Sequence, residues 1–484
     1  VRVGSLNWVG IRRVFGFILL LLAATMLVPL FWAIYYDTPD WQAFIWSIII
    51  VGVPGALLLR GQSKASDLGA RDAFVIVAGS WIVCSVAGAV PFVTSGVLPN
   101  VFDAIFESMS GFSTTGATVM TRIEIPAAGI LFWRSFLHWL GGMGIILAFL
   151  AFFPYARRGG DSLYKAEVPG MEVERLTPRL RQTAVVLWRI YGTITVLQTA
   201  CLCLAGMTLY ESLIHTFGTV ATGGFSNRAL SVGAYANPWI HYIILAFMFL
   251  SGVNFALYYR AVHTKKISEI FKDPELRTYA GIAAVATLII WVNLAGTYGA
   301  GQSLHHSAFQ VVSVMTTTGY VTADFDLWPE LSKGVLLLLM FVGPCSGSTG
   351  GSVKVVRYMV VAKSISRELS QMVHARAVLP IRIGGRVIPE STVRNVLVFM
   401  ALYMLCALAG TMYMLYCGLS MVEAISAVAA TLGNVGPGLG SIGPSLSFAA
   451  VPDSGIAVLT ALMMLGRLEL FTVFVTVTPG FWRR

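Results

Sequence analysis

Charge is what this sequence has little of. Only 12% of its 484 residues are Asp, Glu, Lys or Arg, about half the share of an ordinary globular domain. The mean hydropathy is +0.76 and 56% of the residues are hydrophobic. Such a composition excludes a water-soluble globular protein and assigns the chain to membrane spans. Cysteine is scarce and unclustered. Cys84, Cys201, Cys203, Cys345, Cys406 and Cys417 all lie in apolar stretches, with no CxxC pair, which argues against a zinc site or a disulfide framework. HExxH and GxSxG are absent and no GxGxxG follows a predicted strand, so the familiar hydrolase and dinucleotide-binding patterns are missing. No cleavable signal peptide is expected: the apolar run from Val14 to Tyr36 is too long for one and reads as a span.

What is present is a series of apolar runs. A helix needs about 20 residues to cross the hydrocarbon core. Runs near 14–36, 43–59, 73–93, 128–153, 183–208, 236–259, 279–299, 333–358, 395–417 and 454–482 predict an all-α polytopic membrane protein with ten transmembrane helices. The net charge of +10 sorts by loop. Of 33 basic residues, 28 fall at the two ends, in loops 60–72, 154–182, 260–277 and 354–394, and at Arg189, against 11 acidic residues. The alternate loops hold Arg122, Arg134, Arg228 and Lys333 against another 11 acidic residues. The positive-inside rule then places both termini in the cytoplasm and offers no footprint for nucleic acid.

Between the spans lie four shorter pieces: DAIFESMSGFSTTGAT (103–118), ESLIHTFGTVATGGFS (211–226), HSAFQVVSVMTTTGYV (306–321) and EAISAVAATLGNVGPG (423–438). Aligned on Gly116, Gly224, Gly319 and Gly436, they share further columns without gaps. Thirteen residues upstream stand Asp103, Glu211, His306 and Glu423; six upstream, the small residues Ser110, Gly218, Ser313 and Ala430; two upstream, Thr114, Thr222, Thr317 and Asn434. The glycines are 108, 95 and 117 residues apart, room for two spans and one such piece. A fourfold internal repeat decides the fold reading more than any single motif. The expected organisation is a two-span hairpin (1–60) followed by four span–pore helix–span repeats (73–156, 183–260, 278–360 and 394–484) around a central pore. Cytoplasmic loops join them at 157–182, 261–277 and 361–393. Non-helical backbone at membrane depth must be buried in protein or line water. Four such strands can replace the hydration shell of a cation with backbone carbonyls. The candidate filter is Thr114, Thr115 and Gly116; Thr222, Gly223 and Gly224; Thr317, Thr318 and Gly319; and Asn434, Val435 and Gly436. Carboxylates at the pore-helix starts would suit the positive dipole ends there.

Two features fall below the candidate filter. The third repeat's second span is interrupted by Gly343, Pro344, Cys345, Ser346, Gly347, Ser348, Thr349, Gly350, Gly351 and Ser352. Glycine and proline cost about 1 and 3 kcal/mol in a helix interior, so an unwound intramembrane loop is expected, and with it a gate. The alternative is a glycine-rich packing surface. A P-loop is excluded, because no Gly-Lys-Ser/Thr follows. The last span carries Arg467 and Glu469 in its middle. The repeat offset puts Arg467 level with the loop, as an electrostatic barrier; the alternative is a structural contact with Glu469 or with backbone. Asn254 is a candidate cavity-lining residue or an interhelical hydrogen-bonding one. His138 reads as packing, and Asp324, Asp326 and Glu330 as a cation-concentrating mouth or a plain solvated loop.

STTGAT, ATGGFS, TTTGYV and TLGNVGPGLG, with GPCSGSTGGSVK and MLGRLELFTVF, resemble the TrkH type of the Trk/Ktr/HKT superfamily of potassium transporters. The two spans before the first repeat also fit that type. The resemblance implies a potassium-selective pore with potassium as permeant ion and no organic cofactor. It also implies a homodimer in the bacterial inner membrane and control by a cytosolic TrkA-type subunit that binds nucleotides. With about one shared glycine per repeat, the filter departs from the TVGYG of tetrameric potassium channels, which implies looser discrimination against sodium. A carrier coupling potassium to protons or sodium, or a sodium-preferring member, is the other reading. An enzyme is not expected.

Overall fold

The computed structural model describes residues 6–60, 68–144, 180–374, 376–468 and 470–482. Among them six helices are long and apolar enough to cross a membrane: Trp8–Tyr35, Trp41–Leu59, Arg71–Thr94, Gln182–Leu204, Pro274–Tyr298 and Glu390–Tyr416. Two further spans are broken pairs. Pro238–Ser251 meets Phe255–Thr264 at 88°, and Asp453–Arg467 is followed by Leu470–Val477. Of the expected span 128–153, the described residues hold Ala128–Gly142. The expected span 333–358 is divided into Glu330–Met340 and Val355–Val373. The long helices expose Ile82, Val86, Val196, Leu288, Val292 and Leu408, an apolar exterior that suits lipid rather than water.

The first two spans cross at glycines. A Cβ on Gly16 would crowd the Gly55 carbonyl, and one on Gly55 the Gly16 carbonyl, the close backbone approach that small residues allow in membranes. Asp40, in the turn between them, accepts from Ile130 N at 2.9 Å and so docks the hairpin on the first repeat.

Each repeat then follows one plan: a long helix, a short pore helix, a return strand and a second helix. The pore helices are Val101–Phe112, Leu209–Val220, Ala300–Met315 and Met421–Leu432. Side chains cap three of them: Asn100 accepts from Phe102 N, Thr208 from Glu211 N, and Ser420 forms a capping box with Glu423. These caps satisfy amide groups that a helix start leaves open. The third begins instead after Gly299 at φ 78° and runs for 16 residues. His306 therefore sits within that helix rather than at its start, while Asp103, Glu211 and Glu423 lie in first turns. Among the described residues the one strand pair is Arg382–Ile383 with Arg386–Val387. Gly384 and Gly385, both at positive φ, supply the turn a two-residue hairpin requires.

Candidate functional site

The ends of the pore helices repeat one another hydrogen bond for hydrogen bond. Thr115 N donates to Ser110 O, Gly223 N to Gly218 O, Thr318 N to Ser313 O and Val435 N to Ala430 O, at 2.7–2.9 Å. Thr114 N, Thr222 N, Thr317 N and Asn434 N donate to the carbonyls three residues back. These paired bonds define a Schellman cap, whose penultimate residue must be left-handed. Thr114, Thr222, Thr317 and Asn434 have φ of 54°, 58°, 62° and 54°. Asparagine tolerates that region, whereas a β-branched threonine there is strained by about 1–3 kcal/mol. The strain recurs in three repeats, held by complete burial of all three threonines.

Two residues on, Gly116, Gly224, Gly319 and Gly436 are again at positive φ, 77–105°. They also touch in a cycle. A Cβ on Gly116 would collide with the Gly223 carbonyl oxygen, on Gly224 with that of Thr318, and on Gly319 with that of Val435. On Gly436 it would stand 2.7 Å from that of Thr115. Repeat 1 thus abuts 2, 2 abuts 3, 3 abuts 4 and 4 returns to 1: a closed ring of glycines against neighbouring carbonyls. Asn434 Nδ2 ties the closing joint by donating to Thr115 Oγ1 at 2.9 Å. Thr114 Oγ1 and Asn434 Oδ1 are buried and have no hydrogen-bond partner among the described residues, so oxygen capacity remains free beside the ring. On the strand side a cavity of about 480 Å³ has all four glycines in its wall, together with Arg122 and Arg228. Near the pore-helix starts, Glu211 pairs with Arg228 at 2.8 Å. The Glu423 carboxyl is held at about 2 by hydrogen bonds from Ser441 and Ser420.

On the opposite side lies the loop 343–352, stitched to the second, third and fourth repeats. Gly343 N donates to Val353 O at 2.9 Å and closes the loop's base. Cys345 N donates to Gly252 O, and Phe255 N to Gly347 O. Thr349 Oγ1 donates to Val220 O at 3.0 Å, at the end of the second pore helix. Gly351 N donates to Thr317 Oγ1 at 2.8 Å, and a Cβ on Gly351 would crowd Gly433 O. The loop therefore presses against the ends of the second, third and fourth pore helices, directly below the ring. Arg467 completes the layer. Its Nη1 donates to Thr349 O at 2.6 Å, and its Nη2 to Gly141 O and Gly142 O at 3.1 and 3.0 Å. It is a clamp between the loop and the first repeat. Glu469 lies outside the described residues, as does most of the loop 157–182. Asn254 caps the helix Phe255–Thr264 by accepting from Ala256 N. Its side chain lies against Gly347, in the wall of a 500 Å³ cavity with Glu275 and Ser346.

Several residues stand apart from the sequence-level reading. Arg134, counted there with the alternate loops, is 1% exposed inside Ala128–Gly142 and pairs with the fully buried Glu107 at 2.7 Å. This pair is a charge feature within the bundle besides Arg467. An arginine inside the apolar run 128–153 was the signal, since a charge at such depth demands a buried partner. Glu275 accepts from Ser346 N at 2.7 Å and Val356 N at 3.2 Å, tying the loop to the start of helix Val355–Val373. Lys354 Nζ turns back to Gly350 O and Ser348 Oγ. Neither contact has a sequence signature. Asp324, Asp326 and Glu330 do local work: Asp324 caps Asp326 N, Asp326 accepts from Gly440 N, and Glu330 pairs with Lys333.

Four span–pore helix–span repeats closed on one axis define a polytopic membrane transport protein with re-entrant pore loops, not an enzyme. The chain belongs to the TrkH family: the family model, described as a cation transport protein, matches residues 40–482. It is 37% identical over 481 residues to the Trk system potassium uptake protein TrkH of Halomonas elongata, covering 98% of this chain and 99% of that one. It is 35% identical over 483 residues to TrkH of Escherichia coli K12, again covering 98% and 99%. The crystal structure of the potassium transporter TrkH from Vibrio parahaemolyticus superposes with a TM-score of 0.90 at 35% identity, over 99% of this chain and all of that one.

Proposed function

We propose that this protein is a channel-like potassium uptake pathway in the bacterial inner membrane, with both termini cytoplasmic. Its filter is formed by Thr114–Gly116, Thr222–Gly224, Thr317–Gly319 and Asn434–Gly436. The observation that carries this reading is the closed cycle in which each glycine abuts the next repeat's carbonyl. Such a ring offers oxygens in place of water to a dehydrated monovalent cation. The pore-helix carboxyl ends, negative by their dipoles, converge below it. The names of the relatives as potassium uptake proteins support potassium as the ion.

The loop 343–352 is the gate, and Arg467 holds it shut while placing a positive charge in the ion path. A homodimer and a cytosolic TrkA-type nucleotide-binding subunit complete the assembly, the subunit acting on the loop through the basic cytoplasmic segments. The test is reconstitution in liposomes with flux read against membrane potential, beside rescue of potassium-limited growth with and without a TrkA-type partner. Potential-driven, potassium-preferring flux that the partner modulates is expected. Flux that instead requires a proton or sodium gradient overturns the channel reading.

A further inference from the structure

The ring joints are not braced alike. At the joint between repeats 1 and 2, helix Ala128–Gly142 inserts two ionisable side chains one turn apart. Arg134 Nε donates to Glu107 Oε1 at 2.7 Å, and its Nη1 to Ser226 O at 3.2 Å. Its guanidinium lies 3.9 Å over the Phe225 ring. Glu107 in turn accepts from Thr118 Oγ1 at 2.9 Å and Val119 N at 3.0 Å. One ion pair therefore grips the first strand two and three residues after Gly116, and the second strand one and two residues after Gly224. His138 adds a parallel tie. Phe225 N donates to its Nε2 at 3.2 Å, so its Nδ1–H donates to Gly111 O at 2.8 Å, on the first pore helix. Its ring also lies where a Cβ on Gly223 would be, directly behind a carbonyl of the ring.

Among the described residues no other joint is braced by a buried ion pair. At the same offsets from Gly224, Gly319 and Gly436 stand Tyr242 and Ala246, Leu337 and Phe341, and Ser454 and Val458. Burying a salt bridge is no general route to stability, since apolar pairs of similar volume serve as well or better. What a fully hydrogen-bonded pair does supply is a fixed geometry. Arginine's planar fork can hold a carboxylate and a carbonyl together, which a lysine ammonium cannot do in the same way.

We propose that Glu107 and Arg134, assisted by His138, are specificity-determining positioning residues: they fix the spacing between the first two filter strands and thereby set potassium over sodium discrimination. This rests on the filter reading above. The experiment compares wild type, R134K and E107Q/R134Q in proteoliposomes, reading the potassium/sodium permeability ratio from bi-ionic potentials and radiolabelled rubidium flux alongside. R134K keeps a charge beside Glu107, and the double variant removes both charges without stranding either. In each the ratio is expected to fall about tenfold, which is 1.4 kcal/mol of discrimination, while rubidium flux persists. A wild type without potassium preference overturns the filter reading itself. A selective wild type whose ratio both variants keep, whatever their flux, overturns the brace alone.

Discussion

Replacing Arg467 by glutamine removes both effects assigned to it, the clamp on the loop and the charge in the ion path. Its bond to Thr349 O reaches the loop, and those to Gly141 O and Gly142 O anchor the guanidinium to the first repeat. A hydrogen bond from a charged donor contributes about 1.5–3 kcal/mol. The side chain is only part-buried, so the lower end applies, about 1.5 kcal/mol. That shifts a closed–open equilibrium roughly tenfold towards open. Withdrawal of a positive charge from the ion path acts in the same direction. Radiolabelled rubidium influx into proteoliposomes without a partner subunit is therefore expected to rise about tenfold or more. R467K distinguishes clamp from charge. A lysine keeps the charge but cannot bridge Thr349 and the Gly141–Gly142 carbonyls with one ammonium, so a pure charge barrier leaves its flux at the wild-type level and a clamp raises it. Unchanged or lower influx in R467Q, at equal incorporation, refutes both roles.

Alanine at Gly116, Gly224 or Gly319 must displace a neighbouring carbonyl and hold a left-handed residue. Each is expected to abolish rescue of potassium-limited growth at normal membrane abundance, scored by immunoblot. T317V removes the acceptor of Gly351 N and leaves a buried N–H unsatisfied, about 1–3 kcal/mol against the closed loop; basal influx should rise by about tenfold or more. E275A strands Ser346 N and Val356 N and should likewise raise basal influx. E275Q, whose amide oxygen can accept both, should not, and equal influx in the two variants rules out Glu275 as the loop's anchor.

The fold was legible because its repeat is written in columns. The glycine column and the column two residues before it coincide with eight positive-φ positions, and the small-residue column with the carbonyls of the Schellman caps. Backbone conformations that few side chains tolerate leave a mark on composition. The loop was legible for the same reason. Its partners were not: Glu275 begins a span 71 residues before Ser346 in the sequence, and nothing local marks a carboxylate that will accept two distant amides. His306 was misaligned in role because the third pore helix starts early, at Ala300, and a sequence column carries no helix boundary. Arg134 was legible in principle, but grouping it with loop charges hid the depth at which it lies.

The symmetry of the ring and the asymmetry beneath it have one physical origin. On the filter reading a cation surrounded by oxygens needs near-equal approach from all sides, which accords with four strands sharing one backbone solution at four sequences. A gate needs the reverse, one element that can leave. Beneath the ring the second helices, as far as the described residues follow them, end at four different places: after Gly142, at Gly252–Asn254, across 343–352 and after Arg467. Among the described residues, the third break forms a layer of its own. Its bonds run to the second, third and fourth repeats, and it reaches the first through Arg467. If the loop is the gate proposed above, opening requires release of Arg467, Glu275 and Thr317 together. Because all three contacts break in one opening step, the free energies lost on removing them should add. A double variant R467Q/E275A is expected to raise basal influx by about the product of the two single-variant increases, up to the flux of the fully open pathway. Influx no greater than that of the stronger single variant, and still below that ceiling, would mean that the loop yields piecewise rather than as a unit.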